Sequence, residues 1–359
     1  MTIADRHRST EDPRPETADR SLGPKFYNFS VVIETSAPTR IDLAGGTIDI
    51  WPLYLFHPGA QTLNAAISLR ARARLESRTD DRIVIRSEDT GVTVEAADSR
   101  ELRDRHELRL LSLLVHFFET SGITLTTCSQ SPAGAGIAGS SALNVAVCAA
   151  LADWNQTPFE PEALLQVAMN VEAQTIAVPT GLQDYRPALY GGVAALELEV
   201  DGVRRVPLDL DPADLEQRIV LCYTGEPRNS GTNNWEITKK HLDGDRHVFD
   251  CFERIRDTAS TMRDCLTRGD WDGVGRAIDE EWENRKRLAP GVTTPAIDSL
   301  IARARGAGAT AAKVCGAGGG GCLFCYGPPA SRASIAAALA AGGARLLDYS
   351  IERHGLIRG

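Results

Sequence analysis

A chain of 359 residues, 43% apolar and 24% charged, is globular in composition and long enough for two domains with separate cores. The formal charge of −9 argues against a general nucleic-acid binder, which needs a basic excess. No apolar run reaches the length of a spanning helix, and Met1 to Arg20 is too polar for a signal peptide, so the expectation is a cytoplasmic protein without membrane contact.

Residues 1–25, rich in Arg, Asp, Glu and Pro, read as a disordered tail. Short apolar or alternating runs predict strands at Val31 to Ile33, Thr39 to Leu43, Ala71 to Leu75, Ile83 to Arg86 and Val92 to Glu95. A helix is predicted over Glu107 to Thr120, and a strand over Ile123 to Cys128 leads into a glycine-rich stretch. Two helices follow, Ser140 to Asp153 with Leu143, Val147 and Leu151 on one face, and Pro161 to Ile176. An alternating strand, Val193 to Val200, runs to a polar stretch at Asp209 to Pro212 that reads as a domain boundary. Beyond it the pattern is a strand (Arg218 to Tyr223), helices at Val248 to Arg268, Trp271 to Arg287 and Pro295 to Ala307, a glycine run flanked by strands, and a helix at Ser331 to Ala341. The predicted class is therefore α+β, with domains at 26–211 and 212–359.

The cysteines, 8 in all, are scattered through predicted strands and helices, which reads as reduced thiols. Cys322 and Cys325 have the spacing of a metal or redox pair, but they lie in an apolar strand with no second pair nearby. They read as small core hydrophobes.

The most informative stretch is Ser131 to Leu143. Pro132, Gly134, Gly136 and Gly139 make a turn that lets the backbone approach an anion, and Ser140 and Ser141 stand at the mouth of an apolar helix whose free N–H groups point at it. One serine is expected to cap the helix or bind the anion, and the other to reach a metal held by the same phosphates. The stretch also satisfies Gly-x-Gly-x-x-Gly, which leaves a dinucleotide-dependent oxidoreductase open as an alternative. That motif expects an acid at the end of a second strand, whereas Asp153 ends the same helix.

Three other segments join this one: Ala37 to Asp49 with its double glycine, Gly181-Leu182-Gln183-Asp184-Tyr185 followed by Gly191-Gly192, and Lys313 to Cys322. In this order the four resemble the signature blocks of the GHMP kinases, and the forms at Ala44 to Asp49, Gly181 to Tyr185 and Tyr223 to Ser230 resemble the heptose-phosphate branch. The resemblance implies a ribosomal-protein-S5-type N-terminal domain, a ferredoxin-like C-terminal domain and an active site between them. It implies an ATP- and Mg²⁺-dependent kinase of a small-molecule sugar or sugar phosphate, with a heptose 7-phosphate and its anomeric hydroxyl as the first choice. A free sugar of the galactose or fucose kind is the second. A non-catalytic sugar-binding protein on the same fold is a third reading, and a homodimer is left open.

By the same resemblance, Asp184 faces the attacking hydroxyl and Arg40 steadies the charge beside it. Ser140 and Glu172 match the magnesium ligands. Asp49 matches the acceptor of sugar hydroxyls, with Gly45 and Gly46 beside it, and Asp42 either shares that task or braces Arg40. Trp51 reads as a core residue, with stacking on a sugar as the alternative, and Arg228 as either a phosphate contact or a solvated loop residue. The run Gly316 to Gly321 is expected to support the phosphate loop. Two departures stand out: Ala138 occupies a position that is usually glycine, so either it has ordinary dihedrals or Gly139 has taken over, and Thr47 and Ile48 replace Gly and Thr near the sugar.

Overall fold

The computed structural model describes residues 31–227 and 230–359, the side chains of residues 230–233 excepted; the predicted tail and Arg228 lie outside the described residues. The strands are β1 (Val32–Ala44), β2 (Gln61–Ser77), β3 (Ile83–Ser87), β4 (Val92–Ala96), β5 (Ile123–Ser129), β6 (Val193–Glu199), β7 (Gly202–Pro207), β8 (Ile219–Tyr223), β9 (Ala311–Val314), β10 (Cys322–Tyr326), β11 (Arg345–Leu346) and β12 (Ile357–Arg358). Among the described residues they form an eight-stranded sheet, in the order β12-β1-β2-β5-β3-β4 with β6 on β2 and β7 on β6, and a four-stranded sheet, β11-β8-β10-β9. Among the described residues only the β3–β5 pairing is parallel.

β1 is one long strand, where the sequence suggested two short ones. Pro38 in its middle lacks an N–H, and the register with β2 shifts at Pro38/Thr39, so a bulge absorbs the missing donor. β2 is also longer than its predicted core at Ala71 to Leu75. Its first half, with Asn64, Ala65 and Ala66, has weak strand propensity, and the pairing with β1 on one side and β6 on the other supplies the order.

The helices are α1 (Arg109–Phe117), α2 (Gly139–Trp154), α3 (Pro161–Ile176), α4 (Tyr185–Tyr190), α5 (Pro212–Glu216), α6 (Ser230–Leu242), α7 (Arg246–Arg268), α8 (Trp271–Lys286), α9 (Pro295–Gly306) and α10 (Arg332–Ala341). α2 is buried on most sides, from Val145 through Ala152, whereas the predicted face residue Leu143 is only partly buried. Its alanines let β1 come close enough for Thr35 Oγ1 to donate to the Ala146 carbonyl at 2.7 Å. α2 thus rests on β1 and β2 and fixes the loop that precedes it. The predicted boundary motif is a helix cap, Asp211 accepting from Ala213 N at the start of α5.

β5 runs antiparallel to β2, and α2 leads into α3 and not into a strand. The dinucleotide reading requires a strand-helix-strand unit there and fails on this topology. Cys322 and Cys325 are both fully buried in β10, and among the described residues no group of His, Cys, Asp or Glu assembles as a metal cluster.

Candidate active site

A cleft of about 610 Å³ is lined by Ser129 to Gly136 and Ala138 to Ser141 together with Asp89, Glu172 and Asp184. Its floor is the loop that the sequence marks for phosphate. Ala135 N donates to the Pro132 carbonyl at 3.1 Å, closing a turn in which Gly134 has a φ of +65°. A side chain at Gly321 would meet the Ala135 carbonyl at 2.6 Å, and Cys322 N donates to that same oxygen at 2.6 Å. The second glycine run therefore packs directly beneath the first.

Neither expectation for Ala138 holds. It takes the left-handed conformation itself, φ 61° and ψ 36°, as the residue preceding α2, and Gly139 is the first helical residue. An L-residue pays about 1–2 kcal/mol for that conformation. β1 holds it in place: Arg40 N donates to Ile137 O at 3.0 Å and Arg40 Nη1 to Gly136 O at 3.0 Å. No serine caps the helix, which removes the first of the two roles expected for it. The N–H groups of the first turn stay open, as a phosphate requires.

The serines turn instead to Glu172. Ser140 Oγ donates to it at 2.6 Å, Ser141 Oγ at 3.0 Å, and Tyr185 Oη, to which the sequence reading gave no role, at 2.7 Å. Burial raises the Glu172 carboxyl above its usual range despite these donors. A carboxylate with two hydroxyls on the wall of this cleft is an all-oxygen donor set, which fits a hard cation such as Mg²⁺.

Arg40 is 1% exposed and joins the parts of the site. Its Nε donates to Asp184 Oδ1 at 3.1 Å, Nη2 makes a second and closer bond to the same oxygen, and Nη1 reaches the phosphate loop. Asp184, 22% exposed at its side chain, faces both the cleft and a smaller cavity of about 30 Å³ lined by Thr47, Asp49, Gln183 and Asn234. Asp49 is buried in that wall. Gln183 N donates to its Oδ2 at 2.8 Å, and its Oδ1 has no partner. Burial and then the neighbouring Asp184 push its carboxyl up to about 6.

Asp42 does not face either space. It is fully buried, accepting from Gly316 N at 2.9 Å and paired with Lys313 at 3.3 Å, Arg40 at 3.4 Å and Arg285 at 3.6 Å. Burial opposes its charge, but Lys313, Arg40 and Arg285 outweigh it and bring the carboxyl down to about 2. Of its two open roles, the geometry fits the brace. Glu281 completes the group, bonded to Arg285 Nη2 at 2.8 Å and paired with Lys313 at 3.0 Å. A side chain at Gly45 would overlap the Gln61 carbonyl, and one at Gly46 would strike Arg285 and Asp42, so packing alone accounts for both glycines. Trp51 is 63% exposed and is not a core residue.

Sequence reasoning missed Lys313, Glu281 and Arg285. A lysine inside the apolar run Ala311 to Cys315 was the available signal, because a buried strand carries a charge only when it is paired. Asn234, which borders both spaces, gave none.

The match to known families follows this geometry. The pattern of GHMP kinases N terminal domain covers residues 106–192, and that of GHMP kinases C terminal covers 262–345. The chain belongs to the GHMP kinase family and is a sugar or sugar-phosphate kinase. It is similar to a D-glycero-alpha-D-manno-heptose 7-phosphate kinase of Campylobacter jejuni, 28% identical, over 90% of this chain and 98% of that one. An L-fucokinase/L-fucose-1-P guanylyltransferase of Bacteroides fragilis is 26% identical over 86% of this chain and 36% of its own length. In fold it matches the crystal structure of a D-glycero-D-manno-heptose 1-phosphate kinase from Bacteroides thetaiotaomicron, with a TM-score of 0.75 over 91% of this chain and 98% of that one, at 24% identity.

Proposed function

We propose that the protein transfers the γ-phosphoryl group of ATP, with Mg²⁺, to a heptose 7-phosphate at its anomeric hydroxyl. The observation that carries the reading is Arg40, whose guanidinium binds Asp184 on one side and the Gly136 carbonyl of the phosphate loop on the other. The carboxylate and the loop are thereby held in one frame, as transfer to a hydroxyl needs. Asp184 takes the proton of the attacking hydroxyl or orients it, and Arg40 offsets charge on the transferred group. The unpartnered Oδ1 of Asp49 accepts from a sugar hydroxyl. The N–H groups at the start of α2 hold phosphate oxygens, and Ser140 and Glu172 would hold the metal, which would supply charge neutralisation. The division at residue 211, with the nucleotide on the first part, belongs to this proposal, as does a cytoplasmic location.

A free-sugar kinase is the second reading. Among the described residues, Arg40 is the sole cationic side chain lining the small cavity, and Asp184 and Asp42 already engage it. Incubation with ATP and Mg²⁺ and a panel of heptose 7-phosphate, D-galactose, D-mannose and L-fucose, followed by mass spectrometry, separates the readings. The first expects one phosphoryl group added to the heptose, released by mild acid as an anomeric phosphate. Phosphorylation of free sugars alone supports the second, and no product from any sugar rejects both.

A further inference from the structure

Thr47 has a φ of +74°, a region that a β-branched residue enters only when its surroundings force it. It is 6% exposed and lines the small cavity with Arg40, Asp49 and Asp184. Arg285 holds its hydroxyl in place. Its Nη1 donates to Thr47 Oγ1 at 3.2 Å and to the Gly316 carbonyl at 2.9 Å, while Glu281 anchors Nε at 3.0 Å. The guanidinium is therefore fixed from α8 and from the glycine run before it touches Thr47. Because the Thr47 hydroxyl accepts from Arg285, its own proton remains available to an oxygen in the cavity.

Backbone strain that is braced by a buried ion network, and that aims a side chain at a binding cavity, points to selection for that side chain and not for the backbone. We propose that Thr47 is a specificity-determining residue of the acceptor site. It occupies volume that a smaller residue would leave open, and it admits a pyranose that carries nothing larger than a hydroxyl on the face turned to it. Thr47 lines this cavity beside Asp49 and Asp184, so a methyl or hydroxymethyl group added on the sugar face turned to it meets this side chain. A one-carbon difference in such a pocket discriminates by roughly 10- to 200-fold.

This inference rests on the sugar-kinase reading, and its test keeps the two apart. The full chain and its Thr47→Gly and Thr47→Ser variants are assayed with ATP and Mg²⁺ on D-galactose, D-mannose, L-fucose, heptose 7-phosphate and their mono-O-methyl derivatives. For Thr47→Gly, kcat/KM for at least one bulkier acceptor should rise by roughly 10- to 200-fold relative to the best wild-type substrate. Thr47→Ser, which keeps the hydroxyl and gives up only the methyl, should shift the same ratio less than Thr47→Gly does. Glycine accepts this φ without strain but gives up chain entropy, methyl burial and the hydrogen bond from Arg285, so Thr47→Gly should fold and melt somewhat below the wild type. Acceptor ratios within about twofold of wild type in a folded Thr47→Gly protein would overturn the inference while leaving the kinase reading intact. Failure of the wild type to phosphorylate any sugar would reject the kinase reading and the inference with it.

Discussion

Replacing Asp49 by Asn tests the acceptor site through a property that the fold itself imposes. The carboxyl is 1% exposed and is carried from an ordinary value of 3.8 to about 6 by burial and by the neighbouring Asp184. At about 1.36 kcal/mol per pH unit, a displacement of that size corresponds to roughly 3 kcal/mol as an upper figure. The folded state binds the proton more tightly than the unfolded one. The contribution of Asp49 to stability is therefore fully present below about pH 4, is lost as pH rises from 4 to 6, and stays absent above. Asn cannot ionise, so it escapes the loss. Urea melts at pH 4.5 and pH 8 should show the wild type losing on the order of 1–3 kcal/mol relative to Asp49→Asn between the two conditions. The acceptor KM should show the same group with the opposite benefit, because the ionised oxygen is the better acceptor for a sugar hydroxyl. In the wild type that KM should fall as pH rises through about 6, and in Asp49→Asn the inflection should vanish. A stability difference between the two proteins that does not change with pH would refute the burial argument.

Asp184→Asn should lower kcat by roughly 10²-fold or more with little change in sugar binding; single-turnover kinetics and equilibrium binding distinguish this from a lost substrate contact. Glu172→Gln should raise the Mg²⁺ concentration needed for half-maximal activity by roughly 10- to 100-fold, the equivalent of a charge-assisted contact of about 1.5–3 kcal/mol. A metal titration with unchanged midpoint would make Glu172 a purely structural acceptor for Ser140, Ser141 and Tyr185. Ala138→Gly relieves about 1–2 kcal/mol of left-handed strain but gives up about 0.4–1 kcal/mol of chain entropy and about 0.8 kcal/mol of methyl burial. Its melting midpoint should therefore stay close to wild type, whereas Ala138→Val, β-branched at the same φ, should melt clearly lower.

The parts of the molecule that announce themselves in sequence are those built from local rules. α3 begins at Pro161 and ends at Ile176 as its first-turn proline and apolar spacing indicate. The phosphate loop was legible because glycine has few other reasons to recur beside serines at a helix start. What escaped is held by partners distant in sequence. The first half of β2 is a strand because β1 and β6 flank it. Ala138 keeps a conformation that its own residue type disfavours because Arg40, 98 residues earlier, fixes the Gly136 and Ile137 carbonyls just before it. Asp42 looked like a candidate for the sugar until three cations, two of them more than 200 residues away, were seen around it.

Those buried charges also constrain how the chain can change over generations. Arg40, Arg285 and Lys313 face Asp42, Glu281 and Asp184, three of each sign, and all but Asp184 are almost wholly removed from water. Removing one member strands a partner in the interior, at a cost of about 3–5 kcal/mol, a large share of what a domain has to spare. A lineage that loses the charge at Lys313 must therefore lose one at Asp42 or Glu281 almost simultaneously. Among descendants of this sequence, these positions should vary together in sign-matched sets or remain fixed, while Thr47, neutral and attached to the lattice by a single hydrogen bond, is free to drift as the acceptor changes.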